Sequence, residues 1–223
     1  VAPAAGVRVT VDPPAQLPPQ ANLRRFIEIG ADLVAFSGGK ALNGPQGTGI
    51  LCGRRDLVMA AALQHLDLDI FWEQWSPPPT LIDKDRLKGV PQHGIGRTCK
   101  VGKEQIIGLL TALELFVAEG DALRHQRWRT MMETLANGLQ GIPGARIALD
   151  DIGNVEEIPT VTLMLEQGRL SALDLVIALQ NGSPPIQADP LLCERGAVAF
   201  NPMCLQPGEA EIIAESVRRL LLP

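Results

Sequence analysis

Asp32-Leu-Val-Ala-Phe-Ser-Gly-Gly-Lys-Ala-Leu-Asn-Gly-Pro-Gln-Gly-Thr-Gly-Ile-Leu51 is the stretch whose reading decides the fold. A short apolar run, Leu33 to Phe36, leads into Ser-Gly-Gly and then Lys40. A glycine-rich turn follows, and a second apolar run begins at Gly49. Both runs read as strands, since they are short, apolar and bounded by glycine. A lysine between two buried strands is uncommon, because its charge must give up water. Loss of water destabilises the ammonium form, and a Schiff-base nucleophile needs the neutral amine. The alternative for an isolated Gly-Gly-Lys is a surface lysine on a turn.

Upstream, Val7-Arg-Val-Thr-Val-Asp12 alternates apolar and polar residues, as a half-buried strand does. Pro13 and Pro14 end its ladder, since proline donates no backbone hydrogen bond. A helix expected over Gln20 to Ile29 separates this strand from the one at Leu33. Strand, helix and strand make a crossover, so both strands end on the same sheet edge. Residues at such ends line the ligand crevice of an open α/β sheet. Asp12 and Lys40 are therefore expected near one another. A lysine and a carboxylate so placed suit pyridoxal phosphate: the amine condenses with its aldehyde, and the acid keeps the pyridine nitrogen protonated. The same spacing also fits a plain Asp–Lys ion pair.

With these residues in view, the sequence resembles the fold-type I pyridoxal-phosphate enzymes (the aspartate aminotransferase-like PLP-transferase fold). Within them it is similar to the selenocysteine synthase-like branch, and more closely to the D-glucosaminate-6-phosphate ammonia-lyase type. The matching stretches are Val11 to Pro19, Gly30 to Lys40, Gly44-Pro-Gln46, Gly94 to Glu104 and Asn201 to Gly208, which together touch both halves of the chain. The resemblance implies Lys40 as the Schiff-base lysine and Asp12 as partner of the pyridine nitrogen. It also implies that Ser37 helps hold the cofactor phosphate and that Gln16 lies near the ring. Pro13-Pro14 departs from the small residues usual there.

The chain has 223 residues, 46% of them hydrophobic, which is enough for one or two domains. The mean hydropathy is +0.11, yet no apolar run reaches the roughly 20 residues of a membrane span. The chain opens at Val1 with no charged-then-apolar leader, so the expected location is cytoplasmic. The four cysteines, Cys52, Cys99, Cys193 and Cys204, form no Cys-x-x-Cys pair or His–Cys cluster, so neither structural zinc nor a disulfide framework is expected. Cys99 and Cys204 fall in matching stretches and are expected to be buried small hydrophobes. A net charge of −5 offers little for nucleic-acid binding, which draws its affinity from neutralised phosphates.

In enzymes of the resembled fold, a large domain with about seven strands precedes a small one. Here the Asp12 strand opens the chain, and the loop that cups the cofactor phosphate would lie upstream. The expected organisation is the remainder of the PLP-binding large domain over 1–103, a connecting helical segment over 104–140 broken near Gly120, and a small α+β domain over 141–223. The fold class is therefore α/β: an incomplete large domain followed by a small C-terminal one, the C-terminal portion of a longer protein. Strands are expected at Gly49–Gly53, Arg146–Leu149, Thr160–Leu165 and Ala197–Phe200. A helix follows Arg54, another opens with a capping box at Ser171, and the last starts at Gly208-Glu-Ala-Glu.

Two further segments carry candidate chemistry. Ile70 to Pro79 is rich in aromatics and proline, with Trp72 and Trp75 able to cover a pocket or simply to pack. Gly94 to Lys103 fails the Walker pattern, since five residues separate Gly96 from Gly102 and Glu104 follows the lysine. What remains is a basic loop before a helix, a fair anion site, with Arg97 and His93 as tentative substrate or phosphate contacts and a solvated loop as the alternative. The leading functional expectation is a PLP-dependent lyase performing α,β-elimination on a small hydroxy amino acid or amino-sugar acid. The alternatives are a selenium or sulfur transferase acting on seryl-tRNA and a catalytically inert truncated relative. The expected partners are an amino-acid-like substrate, phosphorylated or not, and a second copy in a homodimer or larger homo-oligomer; no membrane partner, metal or nucleic acid is expected.

Overall fold

The computed structural model describes residues 7–13, 16–151, 153–166 and 170–222. Pro14, half of the Pro-Pro pair expected to end the first strand, lies outside the described residues. The chain divides into two compact units, residues 1–118 and 119–223. Among the described residues, no helix is long and apolar enough to cross a membrane.

Unit 1 contains a three-stranded sheet in the order β1-β2-β3. β1 (Thr10–Val11) runs parallel to β2 (Leu33–Ser37), with α1 (Asn22–Glu28) in the crossover between them. β3 (Gly49–Gly53) returns antiparallel to β2 and leads into α2 (Arg55–Gln64). Val34 and Phe36 alternate inward from β2 and are buried, as a half-buried strand requires. They meet Leu17, Ala31, Leu42, Leu109 and Phe116 in one apolar cluster.

β1 is shorter than the expected Val7–Val11, and the cause is polar. The Val9 N–H donates to Asp32 Oδ2 at 2.8 Å, and its carbonyl accepts from the Asp32 and Leu33 N–H groups. A side chain thus takes over where a ladder bond would form. Asp32 is bound in turn by Arg54, which also holds Asp56. The Val9 N–H holds the Asp32 carboxyl below its ordinary 3.8; burial opposes this, and Arg54 and Arg8 add to the lowering.

The second half of unit 1 is built from turns. Trp75 is buried against Met59 and Ile82, and its ring lies 5.9 Å from that of Trp72. The Lys84 ammonium sits 4.5 Å over Trp72 and donates to the carbonyls of Trp72 and Trp75. The two tryptophans therefore pack on each other under the proline-rich loop.

α3 (Lys103–Leu139) is interrupted at Gly120, whose φ of 71° and ψ of 163° are not helical. Glycine takes that backbone without a Cβ clash, which is why the break falls there. Leu109 and Phe116, before the break, belong to the unit 1 cluster. Met132, Leu135 and Leu139, after it, belong to the core of unit 2.

Unit 2 has an antiparallel sheet in the order β4-β5-β6 (Ala145–Asp150, Thr160–Leu165, Ala197–Phe200). Val161 and Leu163 of the central strand face Leu175 and Leu179 of α4 (Ala172–Gln180) and Ile213 and Val217 of α5 (Glu209–Leu221) within one core. Ser171 caps α4 with a reciprocal Ser171–Asp174 box, and Glu209 and Glu211 occupy the first turn of α5. Arg124 is almost fully buried, and its charge is met by Glu119 at 3.2 Å and Asp121 at 2.8 Å. Burial would raise the Glu119 carboxyl, but Arg127 and Arg124 together hold it low. The thiols of Cys99 and Cys204 are exposed, contrary to expectation, because Cys99 ends a single 3-10 turn (Arg97–Cys99) and Cys204 lies in a turn, both at the surface.

Leu163 has no exposed surface, so Leu163→Ala leaves a cavity and should cost about 2–5 kcal/mol, read as a lower urea midpoint. Asp32 contributes stability above its unfolded value of 3.8 and loses it as pH falls through its lower folded value. Hydrogen exchange at the Val9 amide should therefore be slower in the wild type than in Asp32→Asn at about pH 6. The difference should vanish near about pH 2.

Candidate active site

Lys40 sits in the connection from β2 to β3, and this connection is folded tightly on itself. The Gly38 N–H donates to the Thr48 carbonyl at 2.9 Å, and the Gly44 N–H donates to the Gly38 carbonyl at 2.8 Å. Asn43, at φ 55°, donates its N–H to the Lys40 carbonyl at 2.8 Å, closing a smaller turn at the tip. A Cβ on Gly38 would meet Thr48 Oγ1 at 2.1 Å and Leu109 Cδ1 at 2.8 Å. One on Gly39 would meet the Gln46 Cα at 2.6 Å. Ser-Gly-Gly is thus a steric requirement: the Thr48 and Leu109 side chains at Gly38, and Gln46 at Gly39, leave no room for a Cβ. Ser37 ends β2 half-buried, and the Lys40 side chain reaches solvent.

The expectation of a desolvated lysine between buried strands is corrected here. Lys40 is exposed, because the turn lifts it past the end of the sheet. Asp12 is exposed too, one residue beyond the Val11–Val34 pair. Parallel register therefore puts Asp12, Ser37 and Lys40 at the carboxyl end of two adjacent strands. The plain Asp12–Lys40 ion pair is not formed, and among the described residues neither group has a hydrogen-bond or ion-pair partner. Gln16 is exposed; its N–H donates to Pro13 and its carbonyl accepts from Asn22 Nδ2 at 2.6 Å.

His93 and Arg97 form a second group, gathered by a residue the sequence reading passed over. Asp67 Oδ1 accepts from the His93 N–H at 3.0 Å, and Asp67 Oδ2 lies 3.3 Å from Arg97 Nε. Arg97 Nη1 donates to the Asp67 carbonyl at 3.2 Å. The His93 N–H holds the Asp67 carboxyl low; burial opposes, and the charges of Arg97, His93 and Lys100 reinforce the lowering. The His93 ring itself is 90% exposed and its φ is 55°. Gly94 makes the docking possible, since a Cβ there would lie 2.2 Å from the Gln64 carbonyl oxygen. No hydrogen bond or ion pair among the described residues joins this group to Asp12, Ser37 or Lys40. Cavities of about 480 and 400 Å3 in unit 1 are lined around Leu63–Gly94 and Trp75–Asp85, away from Lys40.

A family model described as aminotransferase class-V matches residues 2–177. The chain belongs to the aminotransferase class-V family. The family is dependent on pyridoxal phosphate. Among relatives of this class-V chain, the 5'-C-glycyluridine monooxygenase-decarboxylase of a Streptomyces species is 32% identical over 219 residues, covering 97% of this chain and 47% of the relative. D-glucosaminate-6-phosphate ammonia lyase of Salmonella typhimurium is 26% identical over 205 residues, covering 89% of this chain and 46% of that enzyme. The solved structure of D-glucosaminate-6-phosphate ammonia-lyase superposes with a TM-score of 0.65 at 24% identity, over 98% of this chain and 50% of that one, and shares its fold. L-seryl-tRNA(Sec) selenium transferase of Moorella thermoacetica is 31% identical over 203 residues, covering 87% of this chain and 39% of the relative. The chain spans about half the length or less of the curated relatives it matches.

The residues present fit the family's cofactor in chemical type. A free amine, a free carboxylate and a hydroxyl stand on one strand edge beside glycines that leave the backbone bare. The sequence reading missed Thr48 and Asp67. Thr48 had a signal, as the middle of Gly-Thr-Gly opposite Ser-Gly-Gly. Asp67 had none, because it lies 26 residues from His93 in sequence. Gly39→Ala forces the Gln46 backbone to move and should lower stability by about 1–3 kcal/mol in thermal melts. Gly89→Ala, where the added Cβ meets open space, should leave the melt unchanged.

Proposed function

We propose that this chain supplies the lysine-bearing part of a pyridoxal-phosphate site, in a lyase that removes a β-substituent from a small amino acid or amino-sugar acid. The observation that carries the reading is the unpaired, solvent-facing Asp12 and Lys40 on neighbouring strand ends. Two opposite charges at neighbouring strand ends, unpaired among the described residues, leave room for a group between them. Lys40 would hold the cofactor covalently through Nζ, Ser37 would donate its hydroxyl to the phosphate, and Gln16 would lie near the ring. Bound pyridoxal phosphate supplies an electron-accepting ring that stabilises negative charge at the substrate α-carbon. Asp12 keeps a proton on the ring nitrogen by accepting its hydrogen bond, which a carboxylate does more strongly than a neutral acceptor. Lys40 Nζ would also be the base for the α-proton.

Arg97 is held by Asp67 through Nε and one Nη1 N–H, so the other Nη1 N–H and the two of Nη2 remain for a substrate carboxylate or phosphate. That fixed orientation suits a specificity contact, with His93 beside it. The second reading is decarboxylation, favoured by the 32% identity to a monooxygenase-decarboxylase. It uses the same acid and amine and differs in which bond at the α-carbon is cleaved. Transfer to seryl-tRNA fits the Moorella relative, but the net charge of −5 works against a polyanionic substrate. The homologous half that the relatives carry would complete the site, and a homo-oligomer would cover the open sheet edges of unit 1.

Borohydride reduction after incubation with pyridoxal phosphate, followed by digestion and mass spectrometry, tests the cofactor reading. A single adduct on Lys40, absent from Lys40→Ala, is the expected result. Scattered adducts on the wild-type chain would sink it. Ammonia release from hydroxy amino acids, against carbon dioxide release, then separates elimination from decarboxylation.

A further inference from the structure

Asp67 stands where two chain segments are laced together, and it touches Arg97 twice. The Leu68 N–H donates to the Pro91 carbonyl at 3.1 Å, the Gly94 N–H to Leu66 at 3.1 Å and the Gly96 N–H to Gln64 at 2.9 Å. Two of these bonds, at Leu66 and Leu68, flank Asp67 directly and fix its place without its carboxylate. Gly96 lies flat against the partner segment, since a Cβ there would come within 3.1 Å of His65 Cδ2. The Asp67 carboxylate then divides its two oxygens. Oδ1 accepts from the His93 N–H and Oδ2 faces Arg97 Nε, while the Asp67 carbonyl accepts from Arg97 Nη1. One residue thus holds both the guanidinium and the turn that carries it.

Stability does not account for this grip. The Asp67 side chain is 26% exposed and that of Arg97 51%, and an ion pair in such surroundings contributes little to folding. What two contacts on one guanidinium supply is orientation. A free arginine must give up rotamers to meet a ligand, whereas a held one has already done so. The surrounding charge decides which ligand is met. The charges that lower the Asp67 carboxyl come from Arg97, His93 and Lys100, so one carboxylate stands against two fixed cations and a histidine. The surplus is positive, which repels a cation and attracts an oxyanion. A planar guanidinium held in place meets such an oxyanion with paired N–H groups.

We propose that Asp67 is a positioning residue, which orients Arg97 to receive an anionic group of the substrate, a carboxylate or a phosphate. This rests on the reading of Arg97 as a specificity contact and adds the residue that makes it one. Asp67 touches no substrate and acts only through Arg97 and the turn at His93. The consequence runs against simple charge. Removing the Asp67 charge makes the surroundings more positive, which by electrostatics alone tightens anion binding. Losing the grip frees the guanidinium, which weakens it.

Titration of the isotope-labelled full chain with inorganic phosphate and with acetate, at low salt, tests the proposal, read by nuclear magnetic resonance at the backbone amides around Arg97. Binding should weaken at least about tenfold in Arg97→Lys, which keeps the charge and loses the guanidinium. It should weaken about two- to tenfold in Asp67→Asn, despite the added positive charge. Asp67→Asn should cost nothing further once Arg97→Lys is present, since no guanidinium is left to orient. Tighter or unchanged binding in Asp67→Asn overturns the positioning role and leaves Arg97 as a contact. No response near Arg97 to either anion overturns both. The wild type gives a second reading that needs no Asp67 variant. Its Arg97 Nε–H, identified by its loss in Arg97→Lys, should exchange with water more slowly than that of the exposed Arg24, and equal rates overturn the proposal. Preference for either anion supports it: phosphate names a phosphorylated substrate, acetate a carboxylate. Adduct formation on Lys40 is read independently of all of these.

Discussion

The close passage of two backbones at Gly38 and Thr48 is the constraint around which unit 1 is arranged. Gly38 donates to Thr48 and accepts from Gly44, so the β2–β3 connection is closed from both sides of one residue. Leu109 of α3 fills the space beside it, near enough that a Cβ on Gly38 would strike its methyl group. Sheet, turn and helix therefore meet at a point where no side chain fits. The outcome is that Ser37 stays at the strand end and Lys40 is carried past it into solvent.

The charges of the molecule sort by whether the chain itself answers them. Asp32 is satisfied by Val9 and Arg54, Asp67 by His93 and Arg97, and Arg124 by Glu119 and Asp121. The buried Arg124, paired within its own helical stretch, would be costly without its carboxylates, whereas the first two bind segments distant in sequence. Asp151, half of a His125–Asp151 pair at 3.2 Å and close to Arg129, does the same between α3 and the loop after β4. Among the described residues Asp12 and Lys40 stand apart from that pattern, and they are the pair the proposed cofactor site uses.

Local chemistry made much of this legible. The crossover at residues 10–37, the break at Gly120, the box at Ser171–Asp174 and the strands at 160–165 and 197–200 all follow from short-range rules. Periodicity, glycine freedom and side-chain capping act within a few residues, and they act before any packing. The shortening of β1 did not follow, because Asp32 competes for the Val9 N–H from 23 residues away. The exposure of Cys99 and Cys204 did not follow either. Type predicts burial only on average, and each thiol sits where a turn meets water.

By itself the sequence determined the type and order of the elements and the residue chemistry at the strand ends. Those depend on neighbours along the chain and on a lysine, an aspartate and glycines at fixed spacings. Only the tertiary structure decided that Lys40 is exposed, that Asp67 restrains Arg97, and that Leu109 and Phe116 of α3 are buried. Each of these depends on which distant backbone or side chain arrives in the same space. Exposure and partnership are properties of packing, and packing is set by contacts that no local pattern encodes.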